Sequence, residues 1–327
     1  MKKNKMISIF LMLALLIGLT CASLSGCVNN EEKAKVYFVM KSNQTNFWKT
    51  AMVGANIAKS EYNIDLHYMY PSSEDDYKKQ NELVKSAVDA GADAICLSAI
   101  DYVRTAEAVE YAYSKDVPVI MFDSFIDTNR KMVEIGTNNY EAGISSAKAL
   151  IDTNNSYNVG IVNFNKDSQN AQQREKGFRD CVKDNEKIKI KSAVNVEANE
   201  NHAMQATIKM IQENKDINAI VTFNEITTLG VSKAIKSMSR EDIFVVGFDN
   251  NIMSINDLNS EEGYLDALIV QTPQAMGYLA VENAYKIIKG DKIKDYRIDT
   301  KTVLVTKENM FSDEIVKILF PIISTKI

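Results

Sequence analysis

From Lys35 onward, short apolar runs alternate with segments whose apolar positions recur at three- and four-residue spacing. That alternation is the pattern of repeated strand and helix units around parallel sheets. Val36 to Met40 reads as the first strand, and the helix after it buries Trp48, Ala51, Met52, Ala55 and Ala58, with Thr45 or Asn46 placed to cap it. A strand at Ile64 to Tyr68 follows, then a helix with Gln80, Leu83, Val84, Ala87 and Val88 on one face and Gly91 as its left-handed stop. Ala94 to Ser98, Val117 to Phe122 and Val133 to Ile135 continue the strands, with a helix over Val103 to Tyr113. A second set repeats the design. Its strands lie at Asn158 to Asn163, Ile188 to Val194, Ala219 to Phe223 and Phe244 to Phe248, separated by helices near Asn139 to Ile151, Ala171 to Asn185, His202 to Asn214 and Thr227 to Met238. The fold class is therefore α/β, two Rossmann-like, doubly wound lobes in tandem.

Ahead of this pattern, Lys2, Lys3 and Lys5 precede an apolar run from Met6 to Leu19, which reads as an export signal too short to span a bilayer comfortably. The run ends in Leu24-Ser25-Gly26-Cys27, which resembles the lipobox at which bacteria attach diacylglycerol. The expectation is a signal peptide over 1–26, lipidation at Cys27 and a polar tether over 27–35. A membrane partnership through the lipid anchor, on the extracytoplasmic face, follows from it.

At 327 residues the chain suits two lobes of ordinary size, and a net charge of −5 without a basic cluster argues against a nucleic-acid partner. Cys96, within an apolar strand, reads as a buried thiol, and no disulfide framework stands out. No metal spacing surrounds His67 or His202, no Gly-rich phosphate cradle follows the first strand, and no nucleophile elbow occurs. The sequence thus calls for no catalytic residues, no metal and no cofactor. What it does offer is a set of polar strand ends: Lys41-Ser42, Ser98, Asp123-Ser124, Asn224-Glu225 and Asp249-Asn250. Ligands of open parallel sheets bind outside the carboxyl ends of strands, so these positions are expected to face a shared cleft.

Phe47-Trp48, Val117-Pro118-Val119-Ile120-Met121-Phe122-Asp123, Arg174-Glu175-Lys176-Gly177-Phe178, Val245-Val246-Gly247-Phe248-Asp249 and Gln271-Thr272-Pro273 occur in an order that resembles the type I periplasmic binding proteins of the ribose and galactose class. The resemblance runs from about Val36 to about Lys307. It implies two lobes joined by three crossing strands, one lobe over 36–137 plus 272–300 and the other over 138–271 plus 301–327, with crossings near Thr137, Gln271 and Thr300. The stretch from Phe311 to Ile327 extends past the family core. It also implies capture of a monosaccharide, pentose or hexose, by lobe closure. The partner would be an ABC permease for import or, alternatively, a sensor histidine kinase or chemoreceptor.

Sugars present flat C–H faces and a rim of hydroxyls, so a receptor needs aromatic plates and groups that donate and accept hydrogen bonds. The resemblance places Phe47, Trp48 and Phe248 as plates, Asp123 and Asp249 as acceptors from opposite lobes, and Asn224, Thr137 and Gln271 as polar contacts where the lobes meet. Ser124 and Gln172 stand where ribose receptors carry arginines, which implies a hydrogen-bond pattern different from that for ribose. Lys41 either supplies the missing cation or meets an acidic or otherwise modified sugar, and Arg174 is expected to be structural beside the cleft.

Overall fold

A computed structural model describes residues 33–320. The expected signal peptide, Cys27 and most of the tether lie outside these residues, as does 321–327.

The strands Lys35–Val39, Ala94–Leu97 and Val119–Phe122 of the first half are apolar on both sides of their pleat, so they need cover on both faces. In β1 (Lys35–Val39), Val36 and Phe38 enter one core with α1 (Asn46–Glu61), while Tyr37 and Val39 enter another with α2 (Tyr77–Asp89) and α3 (Ala106–Tyr113). The first sheet has six strands in the order β11-β5-β4-β3-β1-β2, with β2 Asp65–Met69, β3 Ala94–Leu97, β4 Val119–Phe122, β5 Val133–Thr137 and β11 Arg297–Thr300, all paired in parallel. The second sheet repeats the order as β12-β10-β9-β8-β6-β7, where β6 is Tyr157–Asn163, β7 Ile188–Asn195, β8 Ala219–Thr222, β9 Phe244–Phe248 and β10 Ala267–Val270. Only β12 (Val303–Thr306) runs antiparallel to its neighbour. Helices α4 (Asn139–Ile151) and α5 (Gln169–Val182) cover one face of this sheet. The other face is covered by α6 (Glu200–Glu213), α7 (Glu225–Met238), α8 (Ile252–Asn259) and α10 (Asp313–Leu319).

The chain leaves the first sheet after Thr137 to form α4. It returns after Val270 to form α9 (Pro273–Ile288), which packs on α1, and crosses again between Thr300 and Val303. The helix expected from Val103 starts instead at Ala106, because the Asp101 carboxylate takes the N–H groups of Val103 and Arg104 and holds that stretch as a turn. The C-terminal extension acquires a structural place in α10. Ile315 and Leu319 enter the second lobe's core, and the Leu319 carbonyl accepts from Asn250 Nδ2 at 3.0 Å.

Both sheets reverse strand order between the first and third strands of their half, and the carboxyl ends of both point to one interface. Main chain and side chains bond across it. Tyr102 N donates to Asp167 O at 2.8 Å, Ala198 N to Asp75 Oδ2 at 2.7 Å and Asn46 Nδ2 to Asn250 O at 3.0 Å. The lobes are therefore in contact.

Candidate functional site

The cleft is built from residues just past strand ends. Asp123 after β4 and Asp249 after β9 occupy matching places in the two lobes, and the match extends to the backbone. Their φ angles are 58° and 64°, and their N–H groups donate to Ile135 O at 2.8 Å and Ile269 O at 2.9 Å. Aspartate is among the few residues that enter this left-handed region readily. Both carboxylates are buried and line one cavity.

Around them the structure gathers Lys41, Phe47, Trp48, Asn224 and Gln271 from the expected set. Lys41 is buried, donates to Ser168 Oγ at 2.8 Å and stands 3.7 Å from Asp123 Oδ2. Burial lowers its pKa, opposed by Asp123 and Glu74. It is committed to partners of the protein itself, which leaves it poorly placed to meet an acidic sugar. Trp48 lies edge-on to Phe47, centroids 5.0 Å apart, and its Nε1 donates to Glu74 Oε1 at 2.6 Å. Asn224 spends its Oδ1 on the N–H of Thr227, capping α7.

Four expected contacts fall elsewhere. Phe248 is fully buried behind Arg174, whose guanidinium carbon lies 4.1 Å from the ring centroid, so it backs the site and is not itself part of the cavity wall. Ser124 is buried to one side, 3.4 Å from Ser168 Oγ, and Thr137 donates to Gln271 Oε1 at 2.7 Å, joining two crossing segments. Gln172 is exposed and donates to Lys166 O at 2.8 Å. At about 100° per residue, Gln172 and Arg174 lie on opposite faces of α5, and the inward face belongs to Arg174.

Arg174, expected beside the cleft, lines it. Its Nε donates to Asn139 Oδ1 at 2.8 Å, Nη1 to Phe223 O at 2.7 Å and Nη2 to Gln271 Oε1 at 2.9 Å. Gln271 passes the link on, its Nε2 donating to Asp249 Oδ1 at 2.6 Å. Sequence reasoning also missed Glu74, Phe164 and Asn170, and gave Glu225 no role although it stood at a flagged strand end. Glu74 follows β2 and Phe164 follows β6, so the strand-end rule would have found both. Glu225 reaches across the interface: Oε1 accepts from Asn46 N and Oε2 from Phe47 N, both at 3.0 Å. The first turn of α1, whose Thr45 makes no side-chain cap, is thus capped by the opposite lobe.

The cavity enclosed by these groups holds about 30 Å³ in the contacting arrangement, room for a water or two and far less than a sugar. Ligand entry requires the lobes to part. A second groove of about 460 Å³ lies between α1, α9 and α10, but its lining is mainly apolar and carries no carboxylate, so it lacks the convergent groups of the cleft.

Burial pushes the Asp249 carboxyl from 3.8 up to about 7, against the pull of Arg174 and Gln271. Burial raises Glu74 and Glu225 as well. Between those two pH values folded Asp249 keeps a proton that the unfolded chain has released, so stability falls as pH rises through the window and levels off above about 7. Urea midpoints at mildly acidic and mildly alkaline pH should show the drop, and Asp249→Asn should shrink it. An unchanged pH dependence in that variant would place the titration elsewhere.

Residues 36–292 match the family described as periplasmic binding protein domain. The chain is a type I periplasmic binding protein. Among the relatives of this binding protein, the D-apiose import binding protein of Paraburkholderia graminis is 27% identical over 282 residues, covering 84% of this chain and 88% of the relative. A solved ABC transporter solute binding protein of Agrobacterium vitis with bound D-fucose is 26% identical with a TM-score of 0.83, over 88% of this chain and 100% of that one. A sugar transporter structure from Clostridium phytofermentans is 30% identical with a TM-score of 0.76, over 83% of this chain and 98% of that one. These relatives are sugar-binding transport proteins. No helix among the described residues is long and apolar enough to cross a membrane.

Proposed function

We propose that this periplasmic binding protein captures a monosaccharide between its lobes and delivers it to an ABC importer, tethered outside the membrane through a lipid on Cys27. The observation that carries the reading is the facing pair Asp123 and Asp249, each at a strand end of its own sheet and both on one cavity with Trp48 and Arg174. Hydroxyls bridging the two carboxylates are satisfied only when the lobes are shut, so ligand shifts the population toward closure. Relatives that are import binding proteins support the importer as partner.

The test is a thermal-shift screen against pentoses, hexoses and polyols, followed by calorimetry. A tight ligand raises the melting temperature by mass action. Asp123→Asn, which keeps shape and backbone preference, should then weaken binding by at least about tenfold, the worth of a charged hydrogen bond of roughly 1.5 kcal/mol. No shift with any sugar would refute the reading.

A further inference from the structure

Charges in the cleft do not balance. Lys41 stands beside Asp123, and Arg174 faces Asp249 through Gln271, so these four groups answer one another. Glu74 and Glu225 are left over in the cavity wall, one from each lobe, Glu225 buried and Glu74 partly so. Glu74 accepts only from neutral donors, Trp48 Nε1 and, at 3.1 Å, Ser42 Oγ. Glu225 likewise has the two N–H groups of α1 and Asn251 Nδ2 at 3.1 Å. Among the described residues neither makes an ion pair. Lys41, the cation that acts on Glu74, is already held by Asp123, Ser168 and Asn170.

A second observation points to a ligand at the same place. Asn224 is 8% exposed and lines the cavity, yet its Nδ2 has no hydrogen-bond partner among the described residues. An occupant that brings an acceptor for Asn224 and positive charge for the two glutamates would fit this wall. A neutral sugar would leave the excess carboxylates shut in without a counter-charge, and an acidic sugar would add to the excess.

We propose that the cleft selects an amino sugar, a monosaccharide whose exocyclic ammonium lies between Glu74 and Glu225 while its hydroxyls meet Asp123, Asp249 and Asn224. This rests on the sugar-capture reading and narrows it. A bound ammonium favours the ionised form of both glutamates and lowers the penalty that burial otherwise imposes on them.

The experiment is calorimetry on the full chain with D-glucosamine, D-galactosamine, D-mannosamine and aminopentoses, each beside its neutral parent. At least one amino sugar should bind about tenfold or more tighter than its parent, the scale of one charge-assisted hydrogen bond. The preference should weaken with added salt, and Glu74→Gln and Glu225→Gln should each collapse it. The wild-type ratio alone decides the matter if a variant fails to fold. Parents binding as tightly as their amines, or tighter, would overturn the selection for charge and leave sugar capture standing. Binding by neither group would overturn both.

Discussion

Arg174→Ala should lower the free energy of unfolding by about 3–5 kcal/mol, the usual cost of removing one partner from a buried charged network. The side chain is 1% exposed and lies over Phe248. Its loss strands the Phe223 carbonyl and the Asn139 amide oxygen, leaves Gln271 Oε1 with Thr137 as its one donor, and leaves Asp249 facing no cation. Arg174→Lys should rescue little, since an ammonium on a flexible stem cannot serve three acceptors that diverge around a planar fork. Urea titration reads the result. A loss below about 1 kcal/mol would mean that water replaces the guanidinium at little cost.

The second large effect is expected at the helix pairs. A Cβ on Gly54 of α1 would overlap the carbonyl oxygen of Gln274 in α9, and one on Gly277 would overlap that of Ala51. The second lobe repeats the arrangement, with Gly143 of α4 against the Arg174 carbonyl and Gly177 of α5 against that of Tyr140. These are backbone contacts, which cannot yield by a rotamer change. Gly54→Val should therefore cost about 3 kcal/mol, the upper part of the overpacking range. It should also weaken ligand binding, because α9 begins two residues after Gln271 and moves with the crossing segment. A denaturant midpoint within error of the parent's would show that the helices separate freely.

Much of the fold could be read directly because its central strands are buried on both faces. Val36 to Met40 has no polar residue to confuse its period, and Trp48, Ala51, Ala55 and Ala58 mark one helical stripe. The site was legible where a rule ties a position to the cleft, as at the ends of β4, β8 and β9. It was hidden where partnership depends on the second lobe. Nothing near Glu225 announces that its carboxylate caps a helix almost two hundred residues earlier in the chain. Gln172 was misplaced for a simpler reason: on a helix, a shift of two positions turns a side chain to the far side. Asn224 was found, but half of its amide serves the helix it starts, a local role that outranks ligand contact for that oxygen.

The left-handed backbone at Asp123 and Asp249 also limits how such a receptor can diversify. Asparagine and glycine share that conformation with aspartate, whereas other side chains would add a strain of about 1–2 kcal/mol before any ligand is considered. An alanine scan would therefore mix a loss of stability with any loss of binding. New ligand preferences are more accessible at Lys41, Glu74 and Glu225, whose backbones carry no such restriction. The two aspartates form a fixed floor, and the variable vocabulary of the cleft is written on the residues around it.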